Sequence, residues 1–114
     1  MKKSINLNDA YEDFDNLPPQ CVEIEIALLG MLIVDPSNFH MIANVMKPIY
    51  FYKQEHSIIY ETLLDLYTKE EPTDIIYLVQ RLRDNNTLDT VGGAAYITQL
   101  TRKILSAANS FQYS

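Results

Sequence analysis

From residue 20 onwards, apolar positions recur along this chain at helical spacing. Pro18-Pro19 opens and Asp35-Pro36 closes a run, Gln20 to Val34, in which Val22, Ile26, Leu29 and Ile33 form one apolar stripe. Ile24, Leu28, Met31 and Leu32 cover much of the remainder. Proline is tolerated only near the first turn of a helix and pushes the residue before it out of helical geometry, so these prolines bracket a helix. A helix apolar on nearly every side is a buried one, and the pattern predicts the central helix on which the others pack. The run falls short of the roughly 20 apolar residues that cross a bilayer, and Glu23 and Glu25 interrupt it.

Further helices follow in order. Asp35-Pro36 reads as an N-cap and first helical residue, leading into Phe39, Ile42, Ala43 and Met46 at amphipathic spacing, with Lys47-Pro48 as the stop. Pro48 to Tyr52 reads as a short turn of helix or a loop, with Phe51 plugged into the core. A longer helix runs from Gln54 to Lys69, with Ile59, Leu63 and Leu66 on one face. The loop Glu70 to Asp74 ends in a cap, Thr73 or Asp74, and Ile75, Leu78, Val79 and Leu82 then mark a helix to Asp84. Asn85-Asn86-Thr87 breaks it. Gly92-Gly93 introduces a helix from Ala94 to Ile104, with Ile97, Leu100 and Ile104 inward. Ser106 caps a last segment that ends with no glycine stop and no basic last turn, as a helix cut short. The expectation is an all-α, compact bundle of about six helices over residues 18–114, the last of them truncated. Residues 1–17, acidic through Asp9, Glu12, Asp13 and Asp15, are expected to form a flexible tail on which Tyr11 and Phe14 could dock to a partner.

Composition narrows the function classes. At 114 residues there is room for one core only. The net charge is −6 and the nine basic residues are scattered, which disfavours autonomous binding to nucleic acid, a process driven by Lys and Arg displacing counterions. The single cysteine, Cys21, cannot close an internal disulfide, which points to a reducing compartment. Met-Lys-Lys leads into polar residues rather than an apolar run, so no signal peptide is read and the cytoplasm is the expected location.

The search for chemistry gives mostly exclusions. None of Gly30, Gly92 and Gly93 is followed by lysine, so no phosphate-binding loop of the Gly-Lys-Ser/Thr type exists. His40, His56 and Cys21 lack the i, i+3 or i+4 spacing that puts two ligands on one helix face, and no metal site is expected. His56 reads as a packed or surface histidine. Glu23 and Glu25, two apart, point away from each other on a helix. No nucleophile, base and orienter assemble, so no catalytic residue and no cofactor site are assigned, and the residues alone describe a non-catalytic helical binding module. Tyr50, Phe51 and Tyr52 cannot all be buried by one short turn, and exposed tyrosines suit a protein interface. The alternative is a free-standing helical DNA-binding or regulatory adaptor reading DNA with the 74–84 helix, whose Arg81 and Arg83 are set against Asp74 and Asp84. A small enzyme is the third reading, and the sequence supplies no convergent polar set for it.

Pro18-Pro19-Gln20, Glu23, Glu25, Leu29-Gly30 and Asp35-Pro36 together resemble the opening of the N-terminal domain of DnaB-type replicative DNA helicases. The likeness continues through Phe51-Tyr52, His56-Ser57-Ile58-Ile59-Tyr60, Pro72-Thr73-Asp74, Leu88 to Ile97 with its Gly92-Gly93, and Ser106-Ala107-Ala108-Asn109. It covers Leu17 to Ser114, nearly the whole chain beyond the tail. The resemblance implies a compact helical head in the collar of a hexameric ring, a trimer of dimers that docks a DnaG-type primase or a helicase loader. It implies self-association as a dimer in isolation, contact with DNA only through the complete ring, no membrane, and a bacterial, phage or plasmid origin. The helical hairpin, the linker and the RecA-type ATPase domain, where ATP and Mg would bind, are absent from these residues. Candidate interface residues on this footing are Tyr50, Tyr52, Val91, Ala94, Ala95 and Tyr96. Four positions depart from the family pattern: Cys21 where asparagine is usual, Ile24 where a small residue is usual, Ala94 where some members have a large aromatic, and Leu105 where proline is frequent.

Overall fold

Residues 19–112, those described by this computed structural model, form five α-helices and two short 3-10 turns. The helices are α1 (Pro19–Val34), α2 (Phe39–Val45), α3 (Gln54–Thr68), α4 (Ile75–Asp84) and α5 (Gly93–Gln112). The turns are Pro36–Asn38 and Pro48–Tyr50, and no strand occurs among the described residues. The expected tail, residues 1–17, lies outside them.

α3 carries the centre of the core. His56, Ile59, Tyr60, Thr62, Leu63 and Leu66 are buried along it, packed by Leu29, Leu32 and Ile33 from α1, Leu78 and Leu82 from α4, and Ile97 and Leu100 from α5. Aromatic rings close the end near α2. Phe39 stacks on Tyr60 and Tyr67 with centroids 6.3 and 4.6 Å apart, and Phe51 tilts against Tyr60 at 5.1 Å. The Tyr60 hydroxyl donates to the Met46 carbonyl at 2.8 Å, satisfying the polar end of a buried ring, and burial raises its pKa.

α1 and α5 make the most extensive helix–helix contact. Gly30 permits it: a Cβ there would lie 2.5 Å from the Leu100 carbonyl oxygen and 2.7 Å from Ile104 Cγ1. The loops follow their local signals. Asp35 accepts from the Ser37 N–H and hydroxyl, so Asp-Pro starts a 3-10 turn and α2 begins three residues later than the N-cap reading implies. Asp74, rather than Thr73, caps α4 by accepting from the Tyr77 N–H at 3.0 Å. α3 and α4 both stop through a residue in left-handed geometry, Glu70 (φ 58°) and Asn86 (φ 61°). Each stop is closed by a bond back to the last turn, from Glu71 N–H to the Leu66 carbonyl and from Thr87 N–H to the Leu82 carbonyl.

Two expectations need correction. Among the described residues the count is five α-helices against the expected six or so, because α5 runs unbroken from Gly93 to Gln112 and position 106 lies inside it rather than at the start of a separate segment. No proline or glycine interrupts residues 94–112, and Leu105 continues the helix. Nor is α1 buried all round. α5 and α3 cover two of its faces, and Ile24 (65% exposed), Met31 (46%) and Val34 (41%) stand in the open. The central helix is α3 instead, which buries six side chains along one face.

Candidate functional site

A chain of polar groups crosses the core between α1, α3 and α5. Glu25 falls on the buried side of α1, one position from exposed Ile24, because successive residues on a helix are about 100° apart. Its Oε1 lies 2.7 Å from His56 Nδ1, and its Oε2 accepts the backbone N–H of Tyr52. The Lys53 N–H adds a longer bond of 3.4 Å to Oε1. His56, fully buried at the start of α3, sets Nε2 2.5 Å from the Tyr96 hydroxyl in the first turns of α5, its ring parallel to the tyrosine ring at 5.9 Å. With the Nδ1 proton directed at Glu25, Nε2 accepts the Tyr96 hydroxyl proton, and every polar atom of the imidazole has a partner.

The order carboxylate, imidazole, hydroxyl has the connectivity of a nucleophile triad. Its chemistry points elsewhere. Burial raises the Tyr96 pKa, and the negative charges of Glu55 and Glu25 raise it further, so the phenol holds its proton rather than becoming a nucleophile. The hydroxyl is turned inward to His56. These three residues pin α1, α3, α5 and the residue 52–53 segment to one another.

Sequence reasoning missed this set. Spacings of 31 and 40 residues carry no local signal. The available hint was a glutamate inside an otherwise apolar run, which has to find a donor if it faces inward.

Outside Tyr96 a cleft of about 350 Å³ is lined by Lys53, Glu55, Val91, Ala95, Tyr96 and Gln99. The six interface candidates divide as follows. Ala95 and Tyr96 border this cleft, Ala94 is exposed beside them, and Tyr50 is 51% exposed on the 3-10 turn before Phe51. Tyr52 is partly exposed, while its backbone serves Glu25. Val91 reaches the cleft edge but is 1% exposed, so its side chain belongs to the core and offers no surface to a partner. Ala94 follows Gly92 (φ 106°) and Gly93 (φ 76°), backbone that a side-chain-bearing residue rarely adopts, which is why the two glycines introduce α5.

The larger apolar surface lies elsewhere. Ile24, Ala27, Met31 and Val34 follow one line along α1, Met41 and Val45 are exposed on α2, and Ile49 stands beside Tyr50. Among the described residues no three His, Cys, Asp or Glu side chains gather to hold a metal ion, and no single helix is long and apolar enough to cross a membrane.

Comparisons with known proteins agree with the fold. The profile described as "DnaB-like helicase N terminal domain" matches residues 17–114. The replicative DNA helicase DnaC of Bacillus subtilis (strain 168) is 35% identical over 100 residues, covering 88% of this chain and 22% of that protein. The replicative DNA helicase DnaB of Treponema pallidum (strain Nichols) is 34% identical over 107 residues, 94% of this chain and 24% of its own length. The crystal structure of the N-terminal domain of DnaB helicase from Mycobacterium tuberculosis superposes with a TM-score of 0.73 at 30% identity, over 85% of this chain and 70% of that one. The chain thus spans less than a quarter of the length of these two relatives.

Proposed function

This chain belongs to the family of DnaB-like helicase N-terminal domains, and on that premise we propose that it is the assembly and docking head of a ring-shaped replicative DNA helicase. The observation that carries the reading is the match over residues 17–114, which takes in the whole described fold. Exposed apolar side chains on α1, on α2 and at Ile49 and Tyr50 support it, since clustered apolar surface is what a subunit offers to its neighbours. In this role the domain joins copies of the motor into a hexamer and presents the ring to a primase or a loader. ATP and Mg would bind in a separate ATPase domain, and DNA would be gripped by the assembled ring. The setting would be the bacterial cytoplasm.

Sedimentation velocity tests the assembly role in the polypeptide that carries this domain ahead of its ATPase portion. The expected result is a hexamer that falls to smaller species at low micromolar concentration once residues 18–114 are removed. A ring equally stable without those residues overturns the reading.

A further inference from the structure

His56 is fully buried, yet one group links it to the cleft. Its Nε2 lies 2.5 Å from the hydroxyl of Tyr96, which is only partly buried and lines the cleft with Lys53 and Glu55. Its Nδ1 is held 2.7 Å from Glu25 Oε1. Glu25 thus faces the ring from α1 and Tyr96 from α5, while half-buried Cys21 lies one turn before Glu25. On α3 itself Tyr60 lies one turn further on, its hydroxyl given to the Met46 carbonyl, and Glu55 borders the cleft. Lys53 reaches the cleft from the residues before α3. A carboxylate only accepts, a neutral imidazole donates at one nitrogen and accepts at the other, and a phenol does both. A row of three such groups has two complete hydrogen-bond arrangements. In the first, Nδ1–H donates to Glu25 and the Tyr96 hydroxyl donates to Nε2. In the second the ring carries two protons, Nε2–H donates to the Tyr96 oxygen, and the phenolic hydrogen turns away from His56.

We propose that Glu25, His56 and Tyr96 form a two-position proton switch, loaded from the cleft through the Tyr96 hydroxyl. Loading consumes one proton from a buffer acid or hydronium. The phenol passes its hydrogen to Nε2 while its oxygen takes the incoming proton on the side away from His56. One phenolic O–H bond breaks, one N–H and one O–H bond form, and the conjugate base stays in solution. The positive charge comes to rest on the imidazole beside the Glu25 carboxylate, the pairing that a buried charge requires. Before loading, the Tyr96 oxygen offers the cleft lone pairs only. After loading it offers a hydrogen, so the surface that Ala95 and Tyr96 border changes from acceptor to donor with the backbone in place. The switch works within one copy of the chain and does not rest on the assembly role proposed above.

Nitrogen NMR of the ring tests it in the 114-residue chain carrying His40→Gln, an exposed position on α2, which leaves His56 as the only imidazole. Long-range proton–nitrogen spectra from about pH 8 down to about pH 5, the range in which histidine changes charge, read the two nitrogens separately. The expected result is Nδ1 bearing a proton throughout, and Nε2 bare at the upper end and protonated at the lower, with the dispersion of the backbone amides unchanged. The Tyr96 Cζ resonance, identified by its loss in Tyr96→Phe, shifts in step with Nε2. A proton on Nε2 instead of Nδ1 at the upper end overturns the proposal, as does a ring with the same protonation across the whole range. Loss of amide dispersion alongside the change overturns it too, because both positions must exist in the folded chain. So does a Cζ resonance that stays still while Nε2 changes. Should His40→Gln disturb folding, the native chain gives the same readings, with His40 adding a second set of ring signals.

Discussion

Glu25, His56 and Tyr96 show how little of a buried polar network one residue reveals. Two glutamates two positions apart on a helix point away from each other, a pattern that does not say which one turns inward, yet Glu25 accepts hydrogen bonds from two backbone N–H groups and faces an imidazole. Replacing it with alanine strands those donors away from water, and the expected cost is about 3 kcal/mol, measured as a shift in urea midpoint at constant slope. Tyr96 gives a pH signature. Its folded-state pKa lies above the ordinary 10.0, so the native state keeps the proton more tightly than the unfolded chain does. The stabilisation from this group is complete below pH 10 and is lost as pH rises through the raised native value. Tyr96→Phe is therefore expected to lose about 1 kcal/mol at pH 7, through the missing bond to His56, and to show a shallower decline above pH 10. Tyr60, raised in the same direction, accounts for part of the slope that remains. Chemical denaturation between pH 7 and 11 checks both statements. Parallel curves for the two proteins count against the network.

Helix stops and crossings belong to the element scale, and here the sequence was more legible. The prolines at 18–19, 36 and 48 and the glycines at 92–93 act within a few residues, so they mark boundaries from local sterics alone. Ile75 to Val79, rich in strand-forming residues, still forms α4 because Asp74 caps it and its apolar period is helical. Two features stayed hidden. Glu70 stops α3 in left-handed geometry with no glycine to announce it. Glu70→Gly relieves the Cβ clash and frees the unfolded chain, effects of opposite sign, and the net expectation is a gain of up to about 1 kcal/mol. Gly30 looked like any small residue in an apolar helix, since only the crossing with α5 gives it a purpose. Gly30→Ala drives a methyl group against the Leu100 carbonyl, backbone that cannot rotate aside. The expected loss is about 2 kcal/mol, seen as a lower thermal midpoint, even though alanine favours the helix by about 1 kcal/mol in isolation.

Charge decides the molecular question of whether this domain touches DNA on its own. The sequence left open a reading in which α4 is a recognition helix, with Arg81 and Arg83 facing the duplex. The fold removes half of that pair. Arg81 Nη2 lies 2.8 Å from both carboxylate oxygens of Glu71, its Nη1 bonds Asp65, and these partners, Glu71 first, hold its pKa above the usual range. Its side chain ties α4 to the end of α3 instead of projecting from the surface. Lys69 pairs with the same Asp65 at 3.2 Å, leaving that corner without surplus positive charge. Arg83 remains exposed on α4, between Asp84 and a hydrogen bond to Gln80. Since each phosphate contact must release a condensed counterion to yield affinity, a chain of net charge −6 with one projecting arginine on the helix in question has too few such contacts. Fluorescence anisotropy of a labelled duplex is thus expected to stay flat as the 114-residue chain is titrated in, at ~0.05 M as at ~0.2 M salt. A rise in anisotropy at the lower salt that disappears at the higher one would return the domain to the nucleic-acid binders, and the role as a protein-joining head would then lose its reason.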